Sequence, residues 1–516
     1  MTKYIGITIG PIDRITTYVK SAHSIWASSY IFSYLAKHII LHLKETCKIE
    51  DGNFITPVIT KDMFESSPVG RFPDQYVISI TENANAVNII NETYKATNNL
   101  LKKIAQDIVN TLKIKTDIDT VQEYLKRVIK VYVVEKSLTG DDSDVVSDFQ
   151  ATFAAMECFD TYQQEERRNY LTEYFQSKTK SKTEPKTKLL VEDTNNKKEL
   201  AKNRMFSSIL ECSAQIEPEK ASDYEEGNND DSNLKTFQKY IAFVAADGDN
   251  FGKTIAQLGE KSKYFTDFSS DLRNAVYNYD GQTIFQGGDD ILFFAPIHNP
   301  KSKLSNVTDI FSLIKYIDDL FKKDVLSNLT IANGAPYPSL SYGVAIAYYK
   351  HPMNETRQRA IDLLHQCKYS YNRNTIAWEV RKHSGQTFLD VIDKKGINNT
   401  QGNVQFDTML SIISNAINGG DDVDDNFLHS ITHWIISHKD IIESVILKNQ
   451  DFEVKEELLA NYFENNFNEK PHDSKQSFIA SIRKFLLIDN LKEPCSKLHA
   501  LLRYVELLIN KSQHGK

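Results

Sequence analysis

Tyr240-Ile241-Ala242-Phe243-Val244-Ala245-Ala246-Asp247-Gly248-Asp249-Asn250-Phe251-Gly252 is the stretch that decides the fold of this chain. Its first seven residues are apolar or aromatic, a run of the kind a strand shows when both of its faces are covered. The run breaks abruptly into Asp247-Gly248-Asp249, so a carboxylate is expected where the strand ends. Downstream, Thr283–Gln286 and Ile291–Phe294 are two further short strands, and Gly287-Gly288-Asp289-Asp290 joins them as a hairpin turn.

The pattern continues in both directions. Helical stretches are expected near 251–260 and 264–278, a helix near 304–326, a strand at 338–348, a helix at 353–371 and a strand near 375–380. The order β-α-β-β-α-β is that of a ferredoxin-like palm. A second opening of this kind stands at the N-terminus. Tyr4–Ile9 is a short strand, Gly10-Pro11 turns the chain, and Ile12, Ile15, Val19, Ala22 and Trp26 form one apolar helix face. Residues 84–172 read as mainly helical, with one strand at Val128–Val134. The stretches 176–204 (Lys, Thr and Asn) and 217–234 (acidic) read as exposed or mobile connections around a small module near 205–216. Beyond about 405 every strong pattern is helical. The expected class is therefore α+β. Two ferredoxin-like palm domains occupy 1–172 and 237–396, a helical linker with a small module occupies 173–236, and a helical domain occupies 397–516.

The chemistry predicted for the second palm follows from strand spacing. Neighbouring strands lie about 4.8 Å apart, so Asp247, Asp289 and Asp290 can share a pair of divalent ions. Hard carboxylate ligands favour Mg²⁺ or Mn²⁺ over zinc, and two such ions activate an attacking hydroxyl and stabilise a leaving phosphate oxygen. Gly287 and Gly288 clear space for a triphosphate against the main chain. Gly248, Asp249, Asn250, Phe251 and Gly252 lead into a helix N-terminus, which suits phosphate. Lys350, at a strand end, and Lys368, late on the next helix, are candidate nucleotide-binding cations. A second GGDD, Gly419-Gly420-Asp421-Asp422, follows a helical pattern and has no flanking strand, so it reads as a helix C-cap and loop.

Composition narrows the classes. The 516 residues exceed one core, and the net charge of −8 excludes bulk coating of nucleic acid. Cys47, Cys158, Cys212, Cys367 and Cys495 include no C-x-x-C pair, so no zinc ribbon is expected. No apolar run approaches the roughly 20 residues of a membrane helix. The opening segment is not a signal peptide, and a cytoplasmic protein is expected.

Four segments of the palm, AADGDNFGK at 245–253, QGGDDILFF at 286–294, SLSYGVAIAYYKHP at 339–352 and LLHQCK at 363–368, resemble the large polymerase/cyclase subunit of type III CRISPR effector complexes, nearest to the Cmr (III-B) type. The N-terminal segment 7–39 and GRFPDQYV at 70–77 resemble that family's first palm. The resemblance implies a first palm without metal-binding aspartates that helps to hold a nucleotide. It also implies a second palm that makes a signalling nucleotide from ATP in antiviral defence once target RNA is bound, and assembly with guide RNA and smaller Cmr subunits. Two departures stand out. The chain starts directly with the palm instead of an HD nuclease, its His472-Asp473 pair lying far downstream, so no DNase activity is expected. The family's four-cysteine zinc site is reduced to Cys212.

The product implied is a cyclic oligoadenylate or, as in some nuclease-less relatives, a conjugate of AMP with S-adenosylmethionine as co-substrate. Two rival readings are a diguanylate cyclase of the GGDEF kind and a catalytically idle scaffold of a ribonucleoprotein.

Overall fold

The computed structural model describes residues 2–10, 21–64, 67, 69–80, 85–139, 142–159, 168–176, 187–194, 208–225, 231–250, 263–287, 289–328, 338–394, 404–448, 451–467, 473–488 and 491–509. The first part of the expected helix from Ile12 to Trp26 (residues 12–20), the expected helix at 251–260, the residues Phe251, Gly252 and Gly288, and His472 lie outside them; Ala22 and Trp26 lie in a helix as expected.

Two sheets organise the chain. The first contains β1 (Thr2–Gly10), β2 (Phe54–Thr56), β3 (Gln75–Ile80) and β4 (Lys130–Leu138) in the order β2-β3-β1-β4. All its pairings are antiparallel. The helix Ala22–Thr46 connects β1 to β2, and the helices Ala86–Leu112 and Ile118–Val128 connect β3 to β4. This is ferredoxin-like order, with β1 central.

The second sheet contains β5 (Tyr240–Asp249), β6 (Gln282–Gly287), β7 (Asp290–Pro296), β8 (Ser339–Tyr348), β9 (Thr375–Arg381) and β10 (Thr387–Asp393), ordered β10-β9-β8-β5-β7-β6. Its β8-β5-β7-β6 portion repeats the ferredoxin-like arrangement, with the helices Lys263–Asn278 and Ile310–Asp324 as crossovers. The helix Met353–Tyr369 then returns the chain to β9, which lies parallel to β8. The added strand β10 is not among the sequence expectations, although its residues alternate in burial.

The apolar run of β5 is explained by what covers it. Ala242, Val244 and Ala246 pack into one core with the two crossover helices and the C-terminal helices. Ile241, Phe243 and Ala245 pack into a second core shared with the first palm and the helix Met353–Tyr369. Gly343 on β8 lets that last helix lie directly on the sheet, because a Cβ there would stand 2.0 Å from the Ala360 carbonyl oxygen and 2.4 Å from Leu364 N.

Two expectations about the connections are revised or refined. The acidic stretch 217–234 is docked where it is described: Ala221 and Leu234 are buried. Asp231 accepts hydrogen bonds from Tyr348, Tyr349 and Lys350. Cys212 is buried, donates to the Asp280 carbonyl at 3.3 Å, and burial pushes its thiol far up.

Helices from Val404 to Ile509 complete the chain, packed on the second palm. The second GGDD ends the helix Val404–Asn418: Gly420 is left-handed at φ 58° and Asp422 N donates to Gly419 O. No helix among the described residues is long and apolar enough to cross a membrane.

Candidate active site

The register of the second sheet brings the sequence-predicted acids to one end. Ala246 pairs with Ile291, and Gly287 closes the hairpin against Asp290. Asp247 on β5 and Asp290 on β7 thus stand one step beyond a paired row on adjacent strands. Gly287 is required by packing, since a Cβ there would meet the Phe285 ring at 2.7 Å.

Charge is concentrated at this end. Burial and then the neighbouring Asp247 charge push the Asp289 carboxyl up to about 6. Burial, followed by repulsion from Asp247 and Asp289, pushes Asp290 up to about 8. Because Asp290 keeps solvent contact, like-charge repulsion is the firmer of its causes. Asp74 of the first palm adds to the negative field at Asp290. Lys368 opposes it: its ammonium pairs with the Asp247 carboxylate and donates to Gly248 O at 3.3 Å. The close approach at Gly343 sets the helix that carries it.

The donor set of hard oxygens, crowded enough to repel one another, fits a divalent cation. Among the described residues no three acidic, His or Cys side chains already converge on one point, and the Lys368 ammonium holds Asp247. The residues that would hold such an ion are Asp247, Asp289 and Asp290.

The other predicted site residues divide. Gly248 and Asn250 lie at the same end, and Asn250 is left-handed at φ 67°. Asp249 is there too, but fully buried: its Oδ2 accepts from Ser339 Oγ at 2.8 Å, Ser341 Oγ at 2.8 Å and Asn374 N at 2.9 Å. It points into the protein's own frame, contrary to the expected nucleotide contact. Lys350 is not brought to the site. Tyr240 pairs with Tyr348 while Asp247 pairs with Ser341, so Lys350 follows the opposite end of β8 and holds Asp231 at 2.9 Å. Sequence reasoning missed Arg373, whose Nη1 donates to Asn250 Oδ1 at 2.9 Å. It also missed Ser339 and Ser341, whose signal is two serines spaced by two in an otherwise apolar strand.

Carboxylates at adjacent strand ends of a ferredoxin-like palm, faced by a lysine, are an arrangement suited to holding divalent ions beside a phosphate group. Residues 240–377 match the Cas10/Cmr2 second palm domain, so this part of the chain is similar to Cas10/Cmr2. The chain is 26% identical to the CRISPR system Cmr subunit Cmr2 of Pyrococcus furiosus over 30% of this chain and 20% of that protein, so the match spans about a fifth of that relative. The fold is similar to that in a structure of the type III-B Cmr-beta complex bound to cognate target RNA. There the TM-score is 0.54 and the identity 11%, with 98% of this chain and 83% of that chain covered. It is also similar to that in a Csm1–Csm4 cassette in complex with cA4, with a TM-score of 0.51, 11% identity, and 99% and 70% covered.

Proposed function

We propose that this chain is the nucleotidyltransferase subunit of a type III CRISPR RNA-guided complex and makes a signalling nucleotide from ATP. The observation that carries the reading is the meeting of Asp247, Asp289 and Asp290 with Lys368 at one end of the second palm. The similarity to folds determined with cA4 and with pppApA supports a cyclic oligoadenylate over the S-adenosylmethionine–AMP conjugate. Guide RNA, target RNA and smaller Cmr subunits are the proposed partners, through the assembled complex.

Asp247, Asp289 and Asp290 would hold two Mg²⁺ or Mn²⁺ ions. When bound, these ions neutralise triphosphate charge and lower the pKa of an attacking ribose hydroxyl. The protein's own groups do the rest. Gly248 and Gly287, without side chains, leave the main chain at this edge open to phosphate. Lys368 supplies a point charge at the same edge. The turn that ends β6 places Asp289 and Asp290, so the oxygens that would hold the ions are positioned before the nucleotide arrives.

The test is conversion of labelled ATP by the assembled complex with and without target RNA, with products identified by mass spectrometry in the presence and absence of S-adenosylmethionine. The reading expects an oligoadenylate that appears only with target RNA. A product from GTP alone would favour the diguanylate-cyclase reading, and no product under any condition would leave the idle scaffold.

A further inference from the structure

Asp249 is used in a way that the catalytic reading does not absorb. Among the described residues, three hydrogen bonds reach it, all on one oxygen, Oδ2, while Oδ1 is buried without a partner. Two of the donors, Ser339 and Ser341, belong to β8, next to β5 in the sheet. The third is the main-chain N–H of Asn374, in the turn between the helix Met353–Tyr369 and β9.

That turn is strained. Asn372, Arg373 and Asn374 have φ of 57°, 64° and 50°, three consecutive residues in the left-handed region. L-residues visit that region singly, and an arginine has no local hydrogen bond of the Asn kind to ease it. Such a conformation persists only where its surroundings over-determine it. Here the ties are Arg373 N to Cys367 O at 2.9 Å, Lys394 N to Asn374 O at 3.0 Å, Arg373 Nη1 to Asn250 Oδ1 at 2.9 Å, and Asn374 N to Asp249. The first of these joins the turn to the end of the helix that carries Lys368. The last joins it to the strand that carries Asp247.

We propose that Asp249 is a positioning residue: it holds the left-handed turn Asn372–Asn374 against the end of β5 and thereby sets Lys368 and Arg373 opposite Asp247. This deepens the nucleotidyltransferase reading and rests on it. Asp249 itself touches neither nucleotide nor metal, and what it supplies is an acceptor at a fixed point, not a charge.

The test compares Asp249→Ala with Asp249→Asn in the full chain, assembled as for the activity assay. Displacing catalytic groups by about 1 Å lowers rate about 100-fold, so Asp249→Ala should lose at least about tenfold in kcat, with KM for ATP within about threefold. Asp249→Asn keeps an acceptor oxygen and should recover most of the rate. Hydrogen exchange gives a readout independent of activity: the Asn374 amide should exchange faster in Asp249→Ala and not in Asp249→Asn. If Asp249→Ala does not fold, the Ser339→Ala/Ser341→Ala pair removes two of the three donors and should show the same kcat loss at constant KM. An Asn variant as poor as the Ala variant would show that the charge acts directly. A raised KM with unchanged kcat would make Asp249 a nucleotide contact. Unchanged exchange at Asn374 would remove the latch. Each of these overturns the proposal. A wild-type complex that makes no product with normal protection of Asn374 would instead sink the nucleotidyltransferase reading and leave the latch standing.

Discussion

Gly343→Ala is a one-methyl perturbation whose effect can be worked from the packing. The added Cβ would stand 2.0 Å from the Ala360 carbonyl oxygen and 2.4 Å from Leu364 N. Both are main-chain atoms of the helix Met353–Tyr369, so no side-chain rotation relieves the clash. Ordinary contacts to carbon lie near 3.5 Å, and the helix must therefore withdraw from β8 by about 1 Å or more. Overpacking of this kind destabilises by about 1–3 kcal/mol, or about 2–12 °C in Tm for a domain of this size. The same helix carries Lys368, paired with Asp247. A shift of about 1 Å at that pair lowers catalysis by about 100-fold. Thermal unfolding and ATP conversion by the RNA-bound complex are measured together. Retention of both the melting temperature and the rate would refute the claim that close helix–sheet packing places Lys368. A lower Tm with an unchanged rate would separate packing from the site and refute the link between them.

Asp421→Ala with Asp422→Ala should leave nucleotide synthesis within about twofold of wild type, because that GGDD caps a helix; a large loss in a folded variant would contradict the assignment. Lys350→Ala should leave KM for ATP unchanged and lower stability by at most about 1 kcal/mol, as expected of a partly exposed ion pair; a raised KM would return Lys350 to the site. The raised Asp289 and Asp290 pKa values give a sign for pH dependence. Between about pH 4 and 8 these two carboxyls bind more protons in the metal-free native state than in the unfolded chain, so their contribution to stability falls as pH rises through that window. In the presence of a chelator, the Tm of the wild type relative to Asp290→Asn should fall from pH 5 to 8; a difference that stays constant or rises over the same interval would show that the two acids are not crowded.

Much of the second palm was legible because its signals are local. The apolar run 240–246 and the hairpin around Gly287–Asp290 carry their strand assignments in a few residues, and the acids at their ends follow directly. Lys350 was misplaced for a reason that a single strand does not contain. It follows the C-terminal end of β8, and only the antiparallel pairing of β8 with β5 shows that this end is remote from Asp247. Asp249 carried the same ambiguity: strand pairing continues through it to Ser339, and the serines then capture it. Arg373 belongs to no recognisable spacing, since its position depends on three left-handed residues in succession. The acidic stretch around Asp231 reads as solvated until its partners Tyr348, Tyr349 and Lys350, more than a hundred residues away, are brought to it.

The central claim is that Asp289 and Asp290, with Asp247, form the nucleotidyl-transfer site. Its most direct test is ATP conversion at millimolar Mg²⁺ or Mn²⁺ by the complete target-RNA-bound complex carrying Asp289→Ala with Asp290→Ala. The site described above predicts normal assembly and loss of product, with Asp247→Ala falling nearly as far. A double variant that assembles normally and keeps near-wild-type turnover would contradict it.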